Sequence, residues 1–214
     1  MLKYTGATFQ LMPFYVLKLG GSLIDKSREI VLRLASLTQE GYSFLVVPGG
    51  GPMADLVRGL YESHGLSDEA AHWMAILAME QYAYMLADGT GAVLTRTIEK
   101  REGLNVLLPY SALLQDDQGI GHTWEFTSDS VAALAARRLD AGFIKATDVD
   151  GVILCGRVVK EVSATSLVGK KTCVDQGLLG LLKGRSCWVL NASDPGKFIR
   201  YIRTGTGDGT VIKG

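Results

Sequence analysis

The sequence predicts an α/β protein: a three-layer α/β/α sandwich around an open, mainly parallel sheet. Two observations carry this. Short apolar runs alternate with stretches of helical character, the order that parallel strands joined by crossover helices require. Two of those runs also end in glycine turns that lead into a helix. The first is Tyr15-Val16-Leu17-Lys18-Leu19-Gly20-Gly21-Ser22 and the second is Phe44-Leu45-Val46-Val47-Pro48-Gly49-Gly50-Gly51-Pro52. In open parallel sheets ligands bind beyond the carboxyl ends of the strands, which is where both turns fall.

Leu17 marks the first strand. Ile30 to Gln39 predicts a helix closed by Gly41, and Phe44 to Val47 predicts the second strand. Pro52 suits the first turn of a helix running to Leu60, where a missing N–H costs nothing. Ser67-Asp68-Glu69 provides a cap and first-turn acids for a long helix from about Asp68 to Leu86. Ala92 to Thr95 and Val106 to Leu108 are short strands, and Thr127-Ser128 caps a helix through Leu139. Phe143 to Ala146 is a strand leading into Thr147-Asp148-Val149-Asp150-Gly151. Cys187 to Leu190 is a further strand, Asp194-Pro195 starts the last helix, and Thr210-Val211-Ile212 closes the sheet edge.

A hydrophobic content of 47% over 214 residues is enough for a substantial core. There is no internal repeat or Pro/Ser-rich linker, so the reading is a single domain over 1–214 with two lobes, about 13–110 and about 111–214. Lys+Arg and Asp+Glu balance at 22 each, so bulk charge argues for neither nucleic acid nor an anionic membrane as partner. No stretch is long and apolar enough to predict a membrane helix. Met1 to Pro13 lacks the pattern of a signal peptide and reads as a disordered lead-in or an edge strand. Cys155, Cys173 and Cys187 are odd in number and lack metal-type spacing. They read as reduced thiols of a cytoplasmic protein, with Cys187 buried in a strand. No His/Cys cluster is spaced for zinc, and no metal ligand is assigned.

The chemistry concentrates at the glycine turns. Glycine lets the backbone turn sharply with its N–H groups exposed, and a following helix start adds partial positive charge. Lys18 adds a full charge at the end of the first strand. Together they suit a phosphoryl group in transfer, whose charge is spread over its oxygens.

Leu17-Lys18-Leu19-Gly20-Gly21-Ser22, Pro48-Gly49-Gly50-Gly51-Pro52, Thr127-Ser128-Asp129-Ser130 and Thr147-Asp148-Val149-Asp150-Gly151 occur in the order seen in the amino acid kinase superfamily, which this chain resembles over nearly its whole length. The resemblance implies the amino acid kinase (carbamate kinase-like) fold, with ATP and Mg²⁺ as cofactors. It makes Lys18 the phosphate-clamping lysine, with Gly20, Gly21, Gly49 and Gly50 as backbone donors and Ser22 beside the phosphates. It makes Asp129 the aspartate that orients catalytic lysines, although a first-turn helix acid explains the same residue. Thr147, Asp148, Asp150 and Gly151 fall where relatives contact nucleotide; an ordinary Asp-Gly turn is the plainer reading. Many relatives carry a second catalytic lysine in the nucleotide lobe. Lys183 is assigned to it, with Lys145 the alternative, and spacing does not separate them.

On the acceptor side the expected contacts are Gly51, Arg58, His72, Trp73 and Ser128. Arg58 suits a bidentate grip on a phosphate, or a surface pair with Asp55 one turn earlier. His72 interrupts an apolar stretch and suits a pocket wall, whereas Trp73 and Met79 fit core or a subunit interface as well as a pocket. His64 and His122 read as surface loop residues. Ala70 to Met79 and Trp124 to Ser130 resemble the branch that phosphorylates [5-(aminomethyl)furan-3-yl]methyl phosphate in methanofuran biosynthesis. That implies a small phosphomonoester acceptor converted to a diphosphate. Alternatives are a uridylate-type nucleoside monophosphate kinase, which Lys145-Ala146-Thr147 resembles, and a non-catalytic nucleotide or oxyanion binder on the same fold. An isopentenyl phosphate kinase fits less, because no histidine follows Gly51. The long helix from Asp68 carries more apolar side chains than one buried stripe needs, which predicts a homo-oligomer built through the first lobe.

Overall fold

The computed structural model describes residues 13–214, so the lead-in or edge strand expected over Met1–Pro13 lies, Pro13 apart, outside the described residues. In chain order the elements are β1 (Phe14–Leu19), α1 (Ile24–Thr38), β2 (Ser43–Pro48), α2 (Gly51–His64), α3 (Asp68–Ala87), β3 (Val93–Thr95), β4 (Leu104–Leu107) and α4 (Pro109–Leu113). There follow α5 (Ser128–Arg138), β5 (Gly142–Thr147), β6 (Ile153–Leu154), β7 (Arg157–Val158), β8 (Glu161–Ser163), α6 (Gln176–Leu182), β9 (Ser186–Asn191), α7 (Pro195–Thr204) and β10 (Thr210–Lys213).

Eight strands form one sheet in the order β3-β4-β2-β1-β5-β9-β10-β8, and β6 pairs with β7 as a separate hairpin. Every neighbouring pair in the large sheet runs parallel except β9 and β10. The strand expected to close the sheet, β10, is therefore one place in from the edge, and β8 lies outside it. A three-residue strand such as β8 carries too little alternation to be read from its sequence. The same brevity hides α4, α6 and the β6–β7 hairpin.

Side chains alternate across a strand, so each strand feeds two cores. Val16, Leu45, Val47 and Phe143 point to the layer of α5 and α6, with Ile76 and Met79 of α3. Leu17, Leu19, Phe44, Val46 and Ile144 point to the layer of α1 and α7, with Tyr82 and Leu86 of α3. By that alternation Lys18 shares the α5 face with Val16, and Lys145 shares it with Phe143. α5 lies against the sheet centre, with every residue from Ser128 to Ala136 buried.

The caps follow local chemistry at the starts of α3, α6 and α7. Ser67 accepts the Ala70 N–H at 3.2 Å at the start of α3, and Asp194 accepts the Lys197 N–H at 2.9 Å at the start of α7. α1 begins at Ile24, earlier than its pattern suggests, because a 3₁₀ turn over Gly21–Leu23 runs straight into it without a capping side chain.

Candidate active site

The glycine turns after β1 and β2 meet backbone to backbone. A Cβ on Gly49 would lie 2.7 Å from the Gly21 nitrogen, and one on Gly21 would overlap the Gly51 backbone. Glycine is thus required here by close approach as much as by turning. The turns also sort the expected donors. The Gly20 N–H donates to the Ala146 carbonyl at 3.0 Å and the Gly49 N–H to the Leu19 carbonyl at 2.8 Å, so both serve the scaffold. Gly21 opens the 3₁₀ turn, and Gly50 and Gly51 open α2, where N–H groups have no partner within the helix.

Beside these turns stands a buried charge bridge. In the parallel register Lys18 of β1 lies directly opposite Lys145 of β5, so both side chains leave the same face. There Asp129, in the first turn of α5, meets both. Its Oδ1 lies 2.9 Å from the Lys18 Nζ, and its Oδ2 pairs with the Lys145 Nζ. Lys145 also donates to the Cys173 carbonyl, and the Asp175 N–H donates to Asp129 Oδ2 at 3.2 Å. The three side chains are almost wholly buried, at 8% exposure for Lys18, 3% for Lys145 and 4% for Asp129. Burial disfavours every one of these charges, and the neighbours decide the outcome. For Asp129 burial is outweighed by Lys145 and Lys18, which hold its carboxyl well below the usual carboxylate range. For Lys18 burial wins, aided by the Lys145 charge, and its pKa is lowered against the pull of Asp129. For Lys145 burial yields to Asp129, and its pKa is raised.

The bridge takes in Lys145, the alternative candidate, and not Lys183. Lys183 is exposed at the end of α6, in a left-handed backbone conformation at φ 43°, and takes no part in the bridge. Like Lys18, Lys145 is the lone charge in an apolar strand, a likeness that marks it as a candidate without excluding Lys183.

Thr127 also needs correcting. It holds the N-cap position of α5 without capping it through its own side chain. The carboxylate of Asp175 does so from a distance, accepting from the Thr127 N–H at 2.9 Å, the Ser130 N–H at 3.0 Å and the Ser130 hydroxyl at 2.6 Å. The same carboxylate caps α6 through the Leu178 N–H at 2.8 Å.

Two clefts lie among the loops that follow the strands. The first, of about 410 Å³, is lined by Gly21, Ser22, Gly51, Ser128, Arg58, His72, Trp124 and Phe126 among others. Arg58 lies over the Trp124 ring at 5.2 Å and pairs with Asp55 at 2.7 Å, and Asp68 accepts from the Tyr61 hydroxyl at 2.6 Å on the same side. Trp73, expected in this wall, is absent from it. Its indole N–H donates to Glu69 at 2.8 Å, and its ring packs edge-on against Tyr110. Trp124 and Phe126 supply the flat surface instead. The expected surface-loop residue His122 sits between Glu69 and Asp117 and stacks on His72.

The second cleft, of about 370 Å³, is lined by Asp150, Asn191, Ser193, Asp194, Lys197, Tyr201 and Asp208. Asn191 donates to Asp150 at 2.8 Å. Asp148 accepts from Ser22 at 2.8 Å and from Thr147 at 3.2 Å; the Ser22 bond first, against burial, lowers its pKa. Gly151 adopts φ 142° against Thr210, a conformation and contact that exclude a side chain.

Comparison with known proteins bears on this geometry. The description of the amino acid kinase family matches residues 13–183. The chain is 33% identical over 195 residues to the [5-(aminomethyl)furan-3-yl]methyl phosphate kinase of Methanocaldococcus jannaschii, covering 85% of this chain and 89% of that protein. Its structure is similar to that of uridylate kinase from Archaeoglobus fulgidus, with a TM-score of 0.70 and 26% identity over 92% of this chain and 99% of that one. UMP kinase from Bacillus anthracis shares the fold, with a TM-score of 0.69 and 18% identity over 94% of this chain and 96% of that one.

Proposed function

Because this chain belongs to the amino acid kinase family and is a kinase, we propose that it transfers the γ-phosphoryl group of ATP to the phosphate of a small phosphomonoester, giving a diphosphate. We take the acceptor to be [5-(aminomethyl)furan-3-yl]methyl phosphate, by likeness to the Methanocaldococcus kinase. The observation that carries the reading is the bridge of Lys18 and Lys145 on one buried carboxylate, together with the start of α2, which no side chain caps.

A phosphate oxygen is already anionic at neutral pH, so the acceptor needs no general base. The barrier is repulsion between two phosphates, which Lys18, Lys145 and the start of α2 offset. Asp129 is a positioning group here. With both oxygens on lysines it holds the two ammoniums apart, and it is not free to ligate a metal. Asp148 and Asp150, both exposed and paired with no lysine, are the carboxylates at this edge that would hold Mg²⁺. Mg²⁺ arriving with ATP supplies charge neutralisation on the phosphates. The cleft around Asp150, Asn191 and Lys197 receives the nucleotide, with Thr147, Asp148 and Gly151 at its approach.

The cleft around Ser128 and Gly51 receives the acceptor. Arg58 grips its existing phosphate, Trp124 and Phe126 face its ring, and Asp68 meets its aminomethyl group, which is cationic at neutral pH. His72 forms part of the wall. The protein acts as a cytoplasmic homo-oligomer joined through α3.

The test is kcat/KM for the furan phosphate, UMP and isopentenyl phosphate at equal concentration with ATP and Mg²⁺. The furan phosphate is expected to lead. Preference for UMP would promote the uridylate reading, which the 26% identity to the Archaeoglobus structure favours. Turnover of none, with tight ATP binding, would make this a binding protein.

A further inference from the structure

The outer wall of the acceptor cleft is the segment between α4 and α5, which carries Thr123, Trp124 and Phe126. Its two ends are held from the α5 side. Arg138 donates to the carbonyls of Asp116 and Gln118 at 3.2 and 3.0 Å, and Asp175 accepts the Thr127 N–H at 2.9 Å. Between these anchors stands His122. Its Nδ1 lies 2.5 Å from Glu69 in the first turn of α3, and its Nε2 lies 3.0 Å from Asp117 in its own segment. The ring stacks on His72 with centroids 4.4 Å apart and planes at 13°, and Trp73 meets it at 5.2 Å. Next to it, Gly121 packs so closely on Phe126 that a Cβ there would lie 2.8 Å from the ring.

A neutral imidazole has one N–H and can donate to one of these carboxylates; the imidazolium donates to both. The Glu69 hydrogen bond, then burial acting against it, then Asp117, leave the His122 pKa raised. His72 beneath it is buried, and burial followed by the His122 charge lowers its pKa to about 4. Where His122 carries its proton, the stack is one charged ring on one neutral ring.

We propose that His122 is a positioning residue for the acceptor: bridging Glu69 and Asp117, it clamps the Trp124 segment onto α3 and thereby sets the affinity for the phosphomonoester. This rests on the reading of that cleft as the acceptor site. The groups facing His122 are Glu69, His72 and Trp73 from α3 and Asp117 from its own segment. A base whose folded pKa is raised contributes fully below its ordinary value of about 6.5, and that contribution is lost as pH rises through the raised value. The clamp is tightest in mild acid and loosens toward alkaline pH.

The experiment uses the full chain, wild type, His122→Gln and Glu69→Gln, with the furan phosphate and ATP from about pH 6 to about pH 9. The ratio of variant to wild type at each pH removes the acceptor's own ionisation. Near pH 6 both variants are expected to raise the acceptor KM about threefold or more, converging on wild type near pH 9, with kcat and the ATP KM within about twofold. Hydrogen exchange of residues 115–126 is expected to quicken in His122→Gln without acceptor present. An acceptor KM ratio near one at every pH, or an ATP KM that rises in step, would overturn the inference. So would faster exchange with unchanged acceptor KM, which marks a structural tie alone. Wild-type inactivity on every phosphomonoester would instead fail the proposed function, and the inference with it.

Discussion

Lys18 and Lys145 share one carboxylate, yet their surroundings drive them in opposite directions: Lys18 is pushed down by burial and by its neighbour's charge, whereas Lys145 is held up by Asp129. Both lysines stand in the carboxyl-terminal halves of β1 and β5, the end of the sheet proposed for phosphoryl transfer. Removing either is expected to lower kcat by roughly 10²-fold or more, the scale seen when one preorganised electrostatic group is lost. Lys18→Ala and Lys145→Ala should both show this at saturating substrates. Lys183→Ala, at an exposed helix end, should stay within about twofold of wild type. Steady-state kinetics on the three variants decides the matter. Normal kcat in Lys145→Ala with a collapse in Lys183→Ala would reverse the assignment.

The start of α5 carries Ser128 and Asp129, so whatever caps it also aims the bridge. Asp175 takes three backbone N–H groups from two helices and two hydroxyls, and its own N–H reaches Asp129. Burial, then the Asp129 charge, raises its pKa, which those donors partly oppose. Asp175→Ala would strand donors at both helix starts at once. One lost cap costs about 1 kcal/mol, so about 2 kcal/mol or more is expected from urea unfolding. A stability within about 0.5 kcal/mol of wild type would show that water or a neighbouring group replaces the cap.

The sheet runs unbroken through both halves of the chain, and the site lies where β1, β2 and β5 end side by side. In the first half, α3 leaves Leu77, Tyr84 and Met85 exposed, and the edge strand β3, which it contacts, carries exposed Val93. Covering such a patch is the physical basis for the proposed homo-oligomer. Light scattering is expected to give a dimer or a multiple of it, and Met85→Glu is expected to shift it toward monomer. A wild-type monomer at assay concentration would refute the assembly. Resemblance to the amino acid kinase family pointed to Asp129; sequence pattern by itself determined the class of fold, both glycine turns, Lys18 at the end of its strand and the caps of α3 and α7. Each of these is written in alternation, turn chemistry or capping over a few adjacent residues, and such local preferences survive in the folded chain. Tertiary structure alone decided that Lys145 rather than Lys183 joins the bridge, because strand register sets which side chains stand together and register is fixed by packing between distant strands. It also decided that Asp175 caps α5 through groups 45 and 48 residues earlier, and that His122 meets Glu69 across 53 residues of chain. Contacts at such separations depend on how whole elements pack, and no short stretch of sequence encodes them.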